Sequence, residues 1–338
     1  MDDLQIDIPT RPPAVQAIDD TILPFAVKSL DLRGRIVRLG AVVDGILTSH
    51  AYPAPVAKLL GEATVLTVML GSALKFAGRF ILQTQTDGPV RMLVVDFTSP
   101  EKVRACARFD AARVAAAIAA DAAAPGQLLG RGHLAMTIDQ GPEMSRYQGL
   151  VPLEGGDLEQ AAREYFTRSE QIPTRVRLAV GEEFRASPTG LVRHWRAGGL
   201  LLQFLPKSIE RTRQADLDPG DAPPGTAPHV IHEDDAWIEG RSLVDTVNDV
   251  ELLDPALSSE QLAYRLFHEH GVRVFRPAAV EAHCSCSRDG VETMLRSFPL
   301  ADRADMVEDG KITVTCEFCS STYVFAADEI AAAEPPPA

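Results

Sequence analysis

Four of the five cysteines in this 338-residue chain lie in its last sixth, as two closely spaced pairs. One residue separates Cys284 from Cys286 in "AHCSCSRDG", and two residues separate Cys316 from Cys319 in "VTCEFCSSTY". Four thiolates in two pairs are the ligand set of a tetrahedral structural zinc site. In an extended strand, residues i and i+2 face the same way, so both sulfurs of the first pair can point at one ion. The spacing therefore predicts one Zn²⁺ held by these four side chains.

The segment that carries the cysteines, 281–338, contains few large apolar residues. Structural zinc supplies on the order of 10–16 kcal/mol of apparent binding energy, which acts as folding energy in so small a module. Zinc-held sulfurs remain thiolate-like, and thiolates are what oxidants attack. Oxidation to disulfides would then remove the metal and unfold the module in one step, which is the outline of a redox switch. A static zinc ribbon that only folds the C-terminal part is the alternative.

The charge of the chain argues against a nucleic-acid partner. Its formal net charge is −14, and the segment 281–338 carries 11 acidic and 4 basic side chains, whereas binding to phosphates needs basic ones. The start "MDDLQIDIPTRPP" lacks the basic and apolar regions of a secretory signal, and the small-residue run 111–126 is interrupted by Asp121. These features predict a soluble, cytoplasmic protein without a membrane partner. In a reducing compartment, clustered cysteines favour metal or redox chemistry over structural disulfides.

Hydrophobic periodicity predicts an α+β fold, in which β-hairpins pack with helices. The predicted elements are a strand running into a helical turn over 31–47, a helix over 52–76, a hairpin over 78–97, strands over 132–140 and 146–154, a helix over 156–174, and strands over 176–180 and 198–206. The hairpin breaks at Asp87-Gly88-Pro89, and Pro173 ends the later helix.

Composition along the chain predicts five regions. They are an N-terminal α+β core (1–206), a flexible linker rich in proline and aspartate (207–230), a helical connector (231–280), a C-terminal zinc-binding module (281–330) and a disordered tail (331–338). Two helices are expected in the connector, over 237–253 and 258–275. The second begins with a capping-box pattern, Ser-x-x-Gln, at Ser258.

Other thiols and histidines receive simpler interpretations. Cys106 in "VRACARFD" is expected to be a buried core thiol, because buried cysteine commonly behaves as a small hydrophobe. His283 is next to Cys284, but four cysteines already complete a tetrahedron. His268 and His270 are two residues apart on an expected helix, which is the wrong spacing for a shared metal.

The segment "SEQIPT" at 169–174 invites a catalytic interpretation. Ser169 and Glu170 would need a histidine at a spacing that supports a triad, and His133 and His194 are isolated in the sequence. A helix terminus is therefore the expected structure at this position.

The chain resembles the Hsp33 family, the redox-regulated bacterial holdase chaperones also called 33 kDa chaperonins. The resemblance is carried by "CSCSRDGVETMLRSFP", "CEFCSSTYVF" and "RLFHEHGVRVF", and upstream by "DGPVRMLVVD", "YQGLVPLEGGDLEQAAREYFTRSEQIPT" and "AGGLLLQFLP". It extends from about residue 22 to 330. The sequence departs from the family in a longer, more proline-rich linker at 207–230 and in "LADRADM" at 300–306, which replaces a more acidic helix.

The resemblance implies a mechanism for the switch. Reduced protein would hold zinc through the four cysteines and be nearly inactive as a chaperone. Oxidants combined with unfolding stress would form the disulfides Cys284–Cys286 and Cys316–Cys319, release zinc and unfold the module. The connector would then expose apolar surface that captures unfolding client proteins, and the activated form would be a homodimer. Four cysteines allow three pairings, so the spacing alone leaves the pairing open.

Two other functions fit parts of the pattern. A thiol–disulfide oxidoreductase would use one cysteine pair as its active dithiol, but the C-x-x-C pair does not begin a helix in a βαβ context. A static zinc-ribbon adaptor would retain its metal under oxidants. The sequence favours a holdase, which is not an enzyme, over both.

Overall fold

The computed structural model describes residues 6–7, 18–73, 77–141, 144, 146–188, 190–206 and 233–331. The linker predicted for 207–230 lies outside the described residues, as does the tail predicted for 331–338 after its first residue. The N-terminal core, the connector and the cysteine pairs lie mostly within them.

Strands and helices alternate irregularly along the chain. Within the described ranges the strands are β1 (Ile6–Asp7), β2 (Thr21–Val27), β3 (Leu32–Leu39), β4 (Arg79–Thr86), β5 (Val90–Thr98), β6 (Lys102–Phe109), β7 (Arg131–Asp139), β8 (Tyr147–Glu154), β9 (Thr174–Ser187), β10 (Gly190–Phe204), β11 (Arg273–Val274), β12 (Ala278–Ala279), β13 (Glu281–Ala282), β14 (Lys311–Thr315) and β15 (Thr322–Ala326). The helices are α1 (Ala41–Thr48), α2 (Ala54–Gly71), α3 (Ala111–Ala119), α4 (Pro125–Leu129), α5 (Leu158–Tyr165), α6 (Asp235–Asp245), α7 (Asp249–Leu253), α8 (Ser259–Phe267), α9 (Arg288–Ser297), α10 (Leu300–Asp305) and α11 (Ala327–Ala331).

The described strands form two large sheets and a separate hairpin. The first sheet has the order β1-β11-β2-β3-β10-β9, with β12 also paired to β2, and the second has the order β13-β6-β5-β4-β7-β8. Their pairs are antiparallel, except that β13 runs parallel to β6. The strands β14 and β15 pair only with each other among the described residues. Hairpins combined with helices confirm the predicted α+β class.

Helix α2 lies between the two sheets. Its residues are apolar on nearly every side, and it shares one buried cluster with strands of both sheets. It packs closely on β10, since a Cβ added at Gly199 would lie 2.5 Å from Val65 Cγ1. This helix is long and apolar enough to cross a bilayer, but its position between the sheets identifies it as the core helix of the fold.

The opposite face of the first sheet is covered by α6, α7 and α8. Phe267 packs against Phe25 with ring centroids 5.6 Å apart, and Trp237 lies 6.5 Å from Phe204. These residues belong to a second buried cluster. The helices expected after the linker therefore pack on the first sheet.

Both helices expected in the connector are shorter than predicted. The helix predicted for 237–253 is two helices, because Asn248 starts α7 with a capping box that includes Glu251. The helix predicted for 258–275 ends at Phe267, and a short 3₁₀ turn leads to Gly271 with φ +72°. The chain then enters β11, so the helical prediction is wrong beyond the short turn.

Most predictions in the core are confirmed, with shifted ends. The element pair at 31–47, the helix at 52–76 over its described part, the hairpin at 78–97 and the strands at 132–140 and 146–154 all appear. The helix predicted for 156–174 starts after its N-cap Asp157, but it changes to a π turn at Phe166–Glu170 and ends before Pro173. Strands β9 and β10 are much longer than predicted, and α3 was not predicted.

Candidate metal centre

The two cysteine pairs are carried by loops of different kinds. Cys284 and Cys286 follow β13 and precede α9, whose N-cap Ser287 accepts a hydrogen bond from Gly290 N at 3.1 Å. Cys316 and Cys319 lie in the turn between β14 and β15. That turn is closed by Cys316 N donating to Ser321 O at 2.9 Å. The first loop is therefore extended and the second tightly curled, as the spacings require.

The four sulfurs converge on one point. All four Sγ atoms lie within 4.8 Å of one another, with Cys284 Sγ 3.7 Å from Cys316 Sγ and Cys286 Sγ 3.3 Å from Cys319 Sγ. A tetrahedral zinc with Zn–S bonds of about 2.3 Å separates its sulfurs by about 3.8 Å. The donor atoms and their distances therefore fit one metal ion bound by four thiolates.

Hydrogen bonds around the sulfurs favour a thiolate at one position. Burial opposes ionisation of Cys319, but hydrogen bonds from the Ser321 hydroxyl and backbone, together with Cys286 and Cys316, lower its pKa to about 6. The Ser321 hydroxyl lies 3.2 Å from Cys319 Sγ, and Tyr323 Oη donates to Cys286 Sγ at 3.2 Å. A thiolate of this kind binds metal ions and reacts with oxidants.

Little apolar packing supports these loops. The buried cluster of the C-terminal part consists of Leu295, Ile312, Phe325 and Ile330, with partly buried neighbours around it. By comparison, the cluster between the two sheets has about ten times as many buried members. This contrast supports the expectation that metal binding contributes much of the stability of the C-terminal module.

The remaining candidates do not join the metal cluster. Within the described residues no histidine belongs to it, and His283 is held through its backbone N, which donates to Val103 O at 2.9 Å. Cys106 is 3% exposed, as expected for a buried thiol, and burial raises its pKa to about 11. His270 hydrogen-bonds through Nε2 with Glu239 Oε1 at 2.9 Å.

The segment considered for catalysis is structural. Ser169 and Glu170 lie in the π turn after α5, where Glu170 Oε1 accepts a hydrogen bond from Tyr165 Oη at 3.2 Å. His194 instead hydrogen-bonds with Asp44, and His133 lies on β7. The geometry brings none of these groups to the metal centre.

The residues between the paired cysteines contact strand β6, and these contacts were not predicted from the sequence. Arg104 donates to Ser285 Oγ at 3.0 Å, and its guanidinium lies 4.3 Å from the centroid of the Phe318 ring. Arg108 Nε donates to Glu317 Oε1 at 3.1 Å. The partners are 181 and 209 residues apart in the chain, so no local sequence pattern could have indicated these contacts.

Comparison with known proteins agrees with this geometry. The sequence model of the Hsp33 protein family matches residues 20–326. The 33 kDa chaperonin of Caulobacter vibrioides (strain NA1000 / CB15N) is 45% identical over 314 residues, which are 92% of this chain and 96% of that protein. The 33 kDa chaperonin of Pseudomonas aeruginosa (strain UCBPP-PA14) is 37% identical over 309 residues, 91% of this chain and 92% of that protein.

A solved structure has the same fold. The crystal structure of the 33 kDa chaperonin, or heat shock protein 33 homolog, of Thermotoga maritima matches with a TM-score of 0.67. The match covers 92% of this chain and 96% of that chain, at 20% sequence identity. The fold of two sheets with helices is therefore shared with that protein.

Proposed function

The chain belongs to the Hsp33 family, and on that premise we propose that it is a redox-regulated holdase. In this role it binds unfolding or oxidatively damaged proteins without ATP and prevents their aggregation. The observation that carries the proposal is the convergence of four sulfurs in a module with little apolar core of its own. Such a module depends on its ligand set for folding, so a chemical change at the sulfurs becomes a structural change.

In the reduced state, Cys284, Cys286, Cys316 and Cys319 hold the metal, which we propose is zinc. Zinc held by these four residues would offset part of the negative charge of the thiolates and would link the two loops. The loops then fix α9 and the β14–β15 hairpin next to each other. The chaperone is inactive in this state.

Oxidation changes the charge and the connectivity of the sulfurs. In each pair, two thiolates give two electrons to one molecule of peroxide, whose O–O bond breaks while an S–S bond forms. Two protons from solvent complete two molecules of water. When all four sulfurs are in disulfides, the ligand set for the metal is lost.

We propose the disulfides Cys284–Cys286 and Cys316–Cys319. Two close sulfur–sulfur contacts run between the pairs, from Cys284 to Cys316 and from Cys286 to Cys319. Bonds between the pairs would keep the two loops tied together, whereas bonds within the pairs leave them unconnected. Pairing of neighbours therefore fits a switch that unfolds its module, because it leaves the loops free to separate once the metal is lost.

Unfolding of the module has a direct route to the core. The division proposed here is a core through residue 206, a connector over 231–280 and a module over 281–330. Backbone hydrogen bonds join module and core where β13 pairs with β6. The connector continues directly into β13, so loss of the module would release its end, and we propose that its apolar side chains, such as Trp237 and Phe267, then become available to client proteins.

The remaining parts of the proposal concern partners and location. The activated form is a homodimer, the protein is cytoplasmic, and neither nucleic acid nor membrane is a partner. No turnover of a substrate is expected. The C-x-x-C pair lies in a hairpin turn rather than at a helix N-terminus, which does not favour the alternative of a thiol–disulfide oxidoreductase.

The proposal predicts chaperone activity only after oxidation. Light scattering of a heat-unfolding client protein is followed with zinc-loaded reduced protein and with the same sample treated with peroxide at elevated temperature. A zinc-reporting dye is read in parallel. We expect suppression of aggregation in the oxidised sample alone, with release of about one zinc per chain.

Three results would contradict the proposal. Equal suppression by both samples would indicate a constitutive chaperone. Retention of zinc under peroxide would indicate a static zinc ribbon. Turnover in an insulin-reduction assay would indicate an oxidoreductase.

A further inference from the structure

We propose that Arg104 is a positioning residue of the redox switch. Its guanidinium holds the residues between both cysteine pairs against the second sheet, and it thereby sets how readily the metal centre opens. This inference rests on the proposed function and specifies how the same site is regulated.

The buried carboxylate of Asp96 fixes the position of the Arg104 side chain. Its Nε and Nη2 donate to Asp96 Oδ2 at 3.0 and 2.8 Å. The Asp96 side chain is 5% exposed and also pairs with Arg79. A carboxylate buried to this degree keeps its hydrogen-bonding partners, so the position of the Arg104 guanidinium is fixed by the sheet rather than by the loops.

The same guanidinium contacts both cysteine loops. Ser285, which accepts from Arg104 Nη1 at 3.0 Å, is the residue between the first two cysteines. Phe318, whose ring centroid is 4.3 Å from the guanidinium carbon, lies between the second two. The guanidinium is planar and rigid, so it can make both contacts only while the loops are side by side. Arg104 therefore stabilises the arrangement in which the four sulfurs converge.

A second set of contacts, from β6 and from the turn after α1, holds the C-x-x-C turn. Arg108 pairs with Glu317, but both side chains are more than half exposed, so this pair contributes little by itself. His50 Nε2 lies 2.8 Å from Glu317 O and its ring stacks on Tyr52, with ring centroids 5.0 Å apart. The C-x-x-C turn is thus fixed to the sheet on more than one side, and Arg104 is the residue that also reaches the other loop.

Opening of the centre must break the Arg104 contacts. An oxidant or a chelator must reach the sulfurs, and unfolding of the module separates the two loops that Arg104 contacts. A cation–π contact and a hydrogen bond that stabilise the closed arrangement raise the free energy of opening. Weakening both should therefore speed opening about threefold to tenfold without removing any metal ligand.

The test uses the full-length chain and a matched pair of variants. Arg104→Lys keeps a positive charge beside Asp96 but loses the planar group that reaches both loops. Arg79→Lys makes the same change at the other partner of Asp96, and within the described residues Arg79 contacts neither cysteine loop. Release of zinc to a chelator is measured under anaerobic reducing conditions and again with peroxide, together with the rate of thiol labelling.

We expect each reduced protein to bind about one zinc per chain. Arg104→Lys should release zinc and expose its thiols about threefold to tenfold faster than wild type, whereas Arg79→Lys should match wild type. Phe318→Leu should give a similar acceleration. In the double variant Arg104→Lys/Phe318→Leu, zinc release should be accelerated by less than the product of the two single accelerations. The reason is that both changes remove the same contact between the guanidinium and the ring.

The outcomes separate the two proposals. Equal rates for wild type, Arg104→Lys and Arg79→Lys would overturn the role of Arg104, even if oxidised wild type suppresses aggregation. Equal acceleration by both lysine variants would overturn it too, since the effect would then come from Asp96. Faster zinc release by Arg104→Lys, but not by Arg79→Lys, would support the positioning role. This would hold even if oxidised wild type showed no chaperone activity, because that result would refute only the proposed function.

Discussion

Arg38 and Arg196 lie in the first sheet beneath the short helix α7. Arg38 is fully buried and donates to Asp254 O at 2.9 Å and Glu251 O at 2.7 Å. Arg196 Nε donates to Leu253 O at 2.8 Å. These carbonyls belong to the end of α7, where a helix leaves acceptors without partners. Burial and the neighbouring Arg196 lower the pKa of Arg38 to about 10, so the guanidinium stays charged at neutral pH.

Replacing the first of these arginines should weaken the core. Arg38→Met is expected to lower the free energy of unfolding by about 2–4 kcal/mol, because two buried carbonyls lose their donor. Urea denaturation of the reduced, zinc-loaded protein measures the change. Arg33→Met is the matched control, since Arg33 is exposed on the same strand. A loss no larger than that of the control would show that the capping contacts are unimportant.

Glu62 on α2 makes stability depend on pH. Burial, followed by the negative charges of Glu159, Asp157 and Asp249, raises its pKa from 4.5 to about 8. The folded protein therefore holds a proton that the unfolded chain has lost, and stability falls as the pH rises between these values.

The variant Glu62→Gln removes this pH dependence. At pH 8 we expect it to be more stable than wild type by at least about 1 kcal/mol, and the difference should shrink towards pH 4.5. Thermal or urea unfolding across this range measures it, with Glu154→Gln as the control, since Glu154 is exposed. A difference between Glu62→Gln and wild type that does not change with pH would show that Glu62 titrates normally.

The clustering of the four cysteines was predictable from the sequence, whereas the contacts that support their loops were not. The spacing of the cysteines restricts the local backbone, so the candidate ligands can be identified within 36 residues of sequence. Arg104 carries no such signal, because its partners in the loops are joined to it only by the fold. Hydrophobic periodicity shows which face of a single helix or strand is apolar, but it does not show which other element packs against that face.

At the scale of elements, helix starts were predicted better than helix ends. Ser258 caps α8 through the capping box that the sequence indicated. The sequence prediction extended two helices beyond their actual ends at Asp245 and Phe267. Polar side chains after these residues still fit a helical pattern, although Asn248 and Gly271 interrupt the helices themselves. Strands β9 and β10 were underestimated because the exposed half of their hairpin lacks an apolar pattern.

The small cluster of the C-terminal module should be sensitive to the loss of one aromatic ring. Phe325 on β15 is fully buried in it, and Phe325→Ala is expected to cost about 3–5 kcal/mol. Because the cluster has few other members, we expect the module to lose hydrogen-exchange protection while the two sheets keep theirs.

The neighbouring position provides the control. Val324 lies on the same strand and is 45% exposed, so Val324→Ala should leave protection of the module nearly unchanged. Equal protection in Phe325→Ala and Val324→Ala would show that metal ligation alone stabilises the module. Loss of protection in the sheets as well would show that module and core unfold together.

At the scale of the whole molecule, residues 273–282 join parts that are distant in sequence. β11 and β12 pair with β2 in the first sheet, and β13 pairs with β6 in the second. The predicted regions follow the order of the chain, whereas the sheets combine strands from both ends of it. The sequence did not indicate these pairings, because each strand has only two residues and no measurable alternation.

The pairing of β12 with β2 constrains biosynthesis. Ile22 pairs with Ala278, which is translated about 250 residues later, or about 13–50 s later at ~5–20 residues per second. During that interval the nascent β2 lacks this partner, and an unpaired strand edge is a template for other chains. A protein proposed to protect unfolding chains thus leaves the ribosome with an unfinished sheet of its own. That sheet is completed only after residue 279 of the 338 has been made.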